Sequence, residues 1–281
     1  MALYLGILIF SFIITSIAIV PFIDFLYSKK KGIPVGGGIL IITVVTLLYV
    51  FLFPLIIRLG VYVTSAFPIK EELNIIFFTF VSFGLLGLYK ARYKWTIQIL
   101  LALTVSALLY FNLKIDIVNV PFLGTLNLGA WFIPMSTAVI VAFTKAFTIA
   151  DGLDGLSCGS LLICLLAFWA LAVTSLDTPL SIFIALWIGS LIAFLYFNVY
   201  PARLRLGQAG SLSFGASLVV AGLLLGKTVA LLVIGGIFMV ELVGFAHHRL
   251  QKIGWEEPKI VMRFWLAGIM LAVFGLWLAQ L

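Results

Sequence analysis

The sequence predicts an all-α integral membrane protein of about ten transmembrane helices, with both termini outside and one short external β-hairpin. Three observations carry this expectation. Of 281 residues, 64% are hydrophobic and only 10% are charged, against about 45–50% apolar and about 25% charged in a soluble domain. Apolar windows of about 20 residues, the length that crosses a bilayer, recur along the whole chain. Lysine and arginine fall unevenly on the loops between them, in the pattern that sets membrane orientation.

In chain order the windows are 2–27, 37–57, 72–89, 95–112, 130–150, 157–175, 180–199, 211–226, 228–246 and 260–280. The first lacks a basic start and its apolar run is too long for a cleavable leader, so it is expected to remain as a span. Alternating the loops collects Lys29, Lys30, Lys31, Lys90, Arg92, Lys94, Arg203, Arg205, Arg249, Lys252, Lys259 and Arg263 on one face, with Lys145 at a helix end. The other face holds Arg58, Lys70, Lys114 and Lys227. Thirteen basic residues against four place the first face in the cytoplasm. Topology thus accounts for most of the net charge of +7, and no nucleic-acid partner is expected. A basic face also attracts phosphate-bearing lipids and nucleotides.

Between the fourth and fifth windows, "DIVNVPFLGTLNLG" (Asp116 to Gly129) alternates polar and apolar residues around Leu123-Gly124, which suggests the hairpin. Cys158 and Cys164 lie six residues apart in one apolar run with no metal spacing, so they read as small core residues. Without a low-complexity tract or long linker, residues 1–281 are expected to form one multispanning domain.

Four cytoplasmic segments carry polar chemistry. "KKKGIPVGGGIL" (Lys29 to Leu40) runs a basic cluster into three glycines; its amides suit an anion at a helix start, or its glycines suit close packing. In "DGLDGLSCG", Asp151 and Asp154 are i, i+3 neighbours that share a face. They suit Mg²⁺, or hydrogen bonds from a sugar or base, with helix capping by Asp154 as the alternative. "YPARLRLGQAGSLSFG" (Tyr200 to Gly215) is basic and places Gly207, Gly210 and Ser211 before a helix. "AHHRLQKIGWEEPK" (Ala246 to Lys259) carries adjacent His247 and His248, suited to phosphate binding or acid–base work, or else to a plain interfacial loop anchored by Trp255. Two acids fall inside windows, Asp24 and Glu241. Such groups are usually functional or paired; Lys29 or Lys145 and a loop arginine are the candidate partners.

Taken together and in order, "IPVGGG", "ADGLDGL", "FNVYPARLRLGQAGSLSFG" and "HHRLQKIGWEEPKIVMRFW" resemble the polyprenyl-phosphate N-acetylhexosamine-1-phosphate transferases. The resemblance covers nearly the whole chain. The tail leans toward the phospho-N-acetylmuramoyl-pentapeptide transferase (MraY) branch over its WecA-like relatives. It implies a transferase of the bacterial inner membrane, acting in cell-wall peptidoglycan biosynthesis with its active face in the cytoplasm. A phosphosugar passes from a UDP-amino sugar to undecaprenyl phosphate, UMP leaves, and Mg²⁺ is required; a homodimer is left open. Carried onto this chain, Asp151, Asp154, His247 and His248 are the catalytic candidates. Gly152, Leu153, Lys31, Gly207 and Gln208 are the substrate-binding ones, and Asp151 and Asp154 are the metal ligands.

The chain also departs from the family pattern. Gly84 and Leu85, in "FGLLGLYKARYK", stand where the resemblance implies paired acids. Lys145 and Thr148 replace two asparagines, Gln208 replaces an acid that holds Mg²⁺, and Arg205 replaces an aromatic that stacks on uracil. Arg249 replaces a third histidine and Gln251 an acid. The alternative function is therefore a catalytically inactive family scaffold that binds polyprenyl phosphate. An unrelated transporter or channel ranks last, because no inverted repeat of broken helices is visible.

Overall fold

In the computed structural model the described residues are 2–29, 32–89, 92–121, 124–244 and 246–280, with the side chains of 28 and 29 set aside. They form an α-helical membrane architecture with one small hairpin. The helices are α1 (Ala2–Lys29), α2 (Gly37–Arg58), α3 (Ile69–Leu88), α4 (Lys94–Leu113), α5 (Phe132–Ala150), α6 (Leu156–Thr174), α7 (Thr178–Asn198), α8 (Gln208–Leu224), α9 (Thr228–Ile234), α10 (Gly236–Gly244), α11 (Ala246–Lys252) and α12 (Glu257–Gln280). Eight of these, α1 to α7 and α12, are long and apolar enough to cross a membrane. Helix α8 has 17 residues.

The expected ninth span differs from the sequence reading: it is broken at Gly235 into α9 and α10. Gly235 and Gly236 are adjacent, and a Cβ on Gly235 would run into the ring of Phe143. The break brings α5 and α10 together where a side chain would hold them apart.

The predicted hairpin is present. β1 (Ile117–Val120) pairs antiparallel with β2 (Gly124–Asn127), with Ile117 opposite Asn127 and Val120 opposite Gly124. The expected turn residue Leu123 lies outside the described residues.

Helices α7 and α8 form the centre, α7 against α1, α2 and α6, and α8 against α3, α5 and α2. Their apolar residues run all round the helix, the pattern of a buried element. Phe80 of α3 sits among Phe183, Trp187 and Phe214, with ring centroids 5.1, 5.3 and 5.8 Å away. Small residues let α8 come close. A Cβ on Gly215 would lie 2.8 Å from the Thr144 Cα of α5, and one on Gly38 would strike the Gly210 backbone. Between α1 and α7, Ser11 donates to the Leu186 carbonyl at 2.7 Å and Thr15 to the Ser190 hydroxyl at 2.9 Å. Asp177 caps α7 by accepting from the Leu180 amide at 3.1 Å. Cys158 and Cys164 are buried and free.

Candidate functional site

The polar site is assembled from the α5–α6 turn, the loop before α8, the start of α2, the foot of α4, and α10–α11. Helix α5 ends at Ala150, and Gly155 in the left-handed region (φ 81°) opens α6. The turn between them holds both aspartates. Asp151 accepts from the Ser157 hydroxyl at 2.9 Å. Asp154 accepts from the Ala202 amide at 3.1 Å and from Arg205, whose guanidinium lies 3.2 Å away. The turn is thereby fastened to the loop before α8.

That loop is fastened a second time. Val35 and Arg205 form a parallel bridge, in which Gly36 and Gly37 donate to the Arg205 carbonyl at 3.0 Å and Gly38 donates to the Leu206 carbonyl at 2.9 Å. The three glycine amides are therefore committed to protein. Close packing, one of the two alternatives for this segment, is what the structure shows, and the anion cradle is not. Leu153 is buried in the apolar core, where it anchors the turn. Gly207 takes a left-handed φ of 83° beside Val35. Exposed Gln208 accepts from the Lys94 ammonium at 2.6 Å. Lys31 lies outside the described residues.

On the other flank, Glu241 is buried and its carboxylate accepts twice from His247: from the backbone amide at 3.2 Å and from ring Nδ1 at 2.5 Å. The Nε2 of His247 in turn meets Nδ1 of exposed His248 at 2.5 Å. A Cβ on Gly152 would come within 3.1 Å of the His247 Nε2, so this chain of groups lies directly against the aspartate turn. The partner of Glu241 is a histidine six residues on, where the sequence reading expected a loop arginine. Asp24 is exposed. Lys145 rests 4.3 Å above the Trp95 ring and not on Asp151.

Burial raises the carboxyl of Asp151 to about 7; hydrogen bonds from Ser157 and Gly207 and the charge of Arg205 oppose the rise, and Asp154 adds to it. The folded protein therefore binds this proton more tightly than the unfolded chain, whose ordinary value is 3.8. The stability that the protonated form confers is complete below about pH 4 and is lost as pH climbs through about 7. Thermal unfolding in detergent should show that decline, and Asp151→Asn should flatten it. An equally steep decline in the variant would assign it to another group.

The described residues thus form a polytopic helical protein that gathers carboxylates, imidazoles and basic groups at its helix ends. The family model described as Glycosyl transferase family 4 matches residues 86–226. The phospho-N-acetylmuramoyl-pentapeptide-transferase of Acetivibrio thermocellus is 30% identical over 91% of this chain and 84% of its own length. Those of Chloroflexus aurantiacus and Bacillus subtilis are 32% and 29% identical, over 89% and 90% of this chain and 78% and 85% of their own lengths. The chain belongs to glycosyl transferase family 4.

Sequence reasoning missed Arg205 as the partner of Asp154, Lys94 as the partner of Gln208, and Ser157. The first two pairs are 51 and 114 residues apart, and no local spacing signals them. Ser157, six residues after Asp151 at the start of α6, was legible as a first-turn donor.

Proposed function

We propose that the chain, as one multispanning domain at the bacterial inner membrane, transfers a phospho-N-acetylamino sugar from a UDP-sugar to undecaprenyl phosphate on the cytoplasmic face. An oxygen of the lipid phosphate attacks the sugar-bearing phosphorus, the bond from that phosphorus to UMP breaks, and UMP leaves. The relatives' names support this reading. The observation that carries it for this chain is the Glu241–His247–His248 series set against the Asp151–Asp154 turn. A buried carboxylate that fixes one imidazole, and through it a second, holds His248 in the orientation that proton transfer at a phosphate oxygen requires. In this reading Asp151 accepts hydrogen bonds from sugar or base, while Asp154 holds Arg205 and the Ala202 amide.

The Mg²⁺ that the resemblance implies does not fit the donor set. Asp154 has both oxygens engaged, by Arg205 and by the Ala202 amide. Asp151 is held by Ser157, and position 208 offers an amide oxygen already taken by Lys94. Among the described residues no group of three or more His, Cys, Asp or Glu is placed to hold a metal. Those same contacts favour a second reading, a family scaffold that binds polyprenyl phosphate without turnover.

Purified protein in detergent, supplied with undecaprenyl phosphate, UDP-N-acetylmuramoyl-pentapeptide and Mg²⁺, should release UMP. Asp154→Asn and His248→Gln should each slow release by about tenfold or more. No release from the wild type, with release gained in Gln208→Asp, selects the scaffold reading.

A further inference from the structure

Between the feet of α4, α5 and α8 lies a cavity of about 180 Å³ lined by Lys94, Trp95, Gln98, Lys145, Thr148 and Gln208, among other residues. Ligand pockets run to about 300–1,000 Å³, so this one admits a single compact group and not a whole nucleotide sugar. Its chemistry is cationic: among the described residues that line it are two ammonium groups and no carboxylate.

Among the described residues neither ammonium is paired with a carboxylate. Lys94 donates to the Gly87 carbonyl at 3.3 Å and to the Gln208 amide oxygen at 2.6 Å, both uncharged acceptors. Lys145 sits over the Trp95 ring, 4.3 Å from its centre. A ring face attracts an ammonium less than an anion does, so an entering anion outcompetes it. Neutral donors stand beside them. The Gln98 amide donates to the Thr144 hydroxyl at 2.5 Å, and Thr148 bonds the Thr144 carbonyl at 2.8 Å.

We propose that this cavity binds a phosphomonoester anion without a metal, its charge met by the fixed ammonium groups of Lys94 and Lys145. The choice of ligand rests on the phosphosugar-transfer reading. A divalent cation is repelled by the same two lysines, which agrees with the absence of a fitting ligand set in the neighbouring turn. The phosphate comes either from a lipid head group or from solution.

Trp95 supplies the readout. Tryptophan fluorescence of the full-length protein in detergent would be titrated with farnesyl phosphate and, separately, with inorganic phosphate, each in EDTA and in Mg²⁺, with Trp95→Phe as the silent control. The expected result is saturable binding in EDTA, altered less than about twofold by Mg²⁺ and weakened about tenfold or more by Lys145→Met, with Lys145→Arg close to wild type. Saturation by farnesyl phosphate alone identifies a lipid head group, and saturation by both ligands a general phosphate site. Binding that requires Mg²⁺, binding unchanged in a folded Lys145→Met, or no binding of either ligand overturns the proposal. UMP release on the same preparation separates the two readings. Phosphate binding without turnover removes the transferase and keeps this site, whereas turnover with strictly Mg²⁺-dependent binding does the reverse.

Discussion

Glu241→Ala should lower the unfolding free energy by about 2–4 kcal/mol, because it removes the acceptor of two buried hydrogen bonds. Glu241 is only 1% exposed and His247 is 0% exposed, so water replaces neither partner. The substitution strips the acceptor from two donors at once, the His247 amide and its ring nitrogen. A buried donor left without a partner costs about 1–3 kcal/mol by itself. Glu241→Gln retains one acceptor and should cost about half as much. Unfolding in detergent, followed by circular dichroism, tests this. If Glu241→Ala melts with the wild type, the imidazole is held by something other than this carboxylate. The loss should also reach the chemistry, because His248 bonds to His247.

Gly38→Leu should destabilise by about 3 kcal/mol or more, at the upper end of overpacking penalties. What stands in the way is backbone. A Cβ on Gly38 would collide with the Cα and N of Gly210, and neither can rotate aside as a side chain would. Helices α2 and α8 would have to separate, and the bond from the Gly38 amide to the Leu206 carbonyl would part with them. Gly6→Ala is the matched control. Nothing lies within 4 Å of a Cβ there, and added helix propensity should stabilise by about 0.5–1 kcal/mol. Equal melting temperatures for the two variants would remove the close crossing of α2 and α8 as a determinant of stability.

The long spans were legible because uniform apolarity is a local property, readable wherever a window of sufficient length occurs. The break at Gly235 was harder to see. Adjacent glycines are common in membrane helices, and the ring that Gly235 makes room for, Phe143, lies almost a hundred residues earlier in the sequence. The aspartate turn announced itself, since two carboxylates and two glycines at the end of an apolar run need a reason. Its partners did not. Arg205 reaches Asp154 from a loop that Val35 also holds in a parallel bridge, and no period in either segment foretells that pairing. The three glycines illustrate the same gap. Sequence offered two uses for their amides, and only the carbonyls of Arg205 and Leu206 decide between them. Lys145 was a candidate partner on paper for an acid inside a span, and it lies over Trp95 instead.

The divided ninth span bears on how the protein is made. Helices α9 and α10 have 7 and 9 residues, about 10 and 14 Å at about 1.5 Å per residue, against a hydrocarbon layer of about 30 Å. Neither half can settle across the bilayer by itself as it leaves the ribosome. Helix α9 packs on α12, which is synthesised after it. Helix α9 therefore finds its full packing only once α12 has been made, whereas α10, which carries Glu241, already has α5 to pack against.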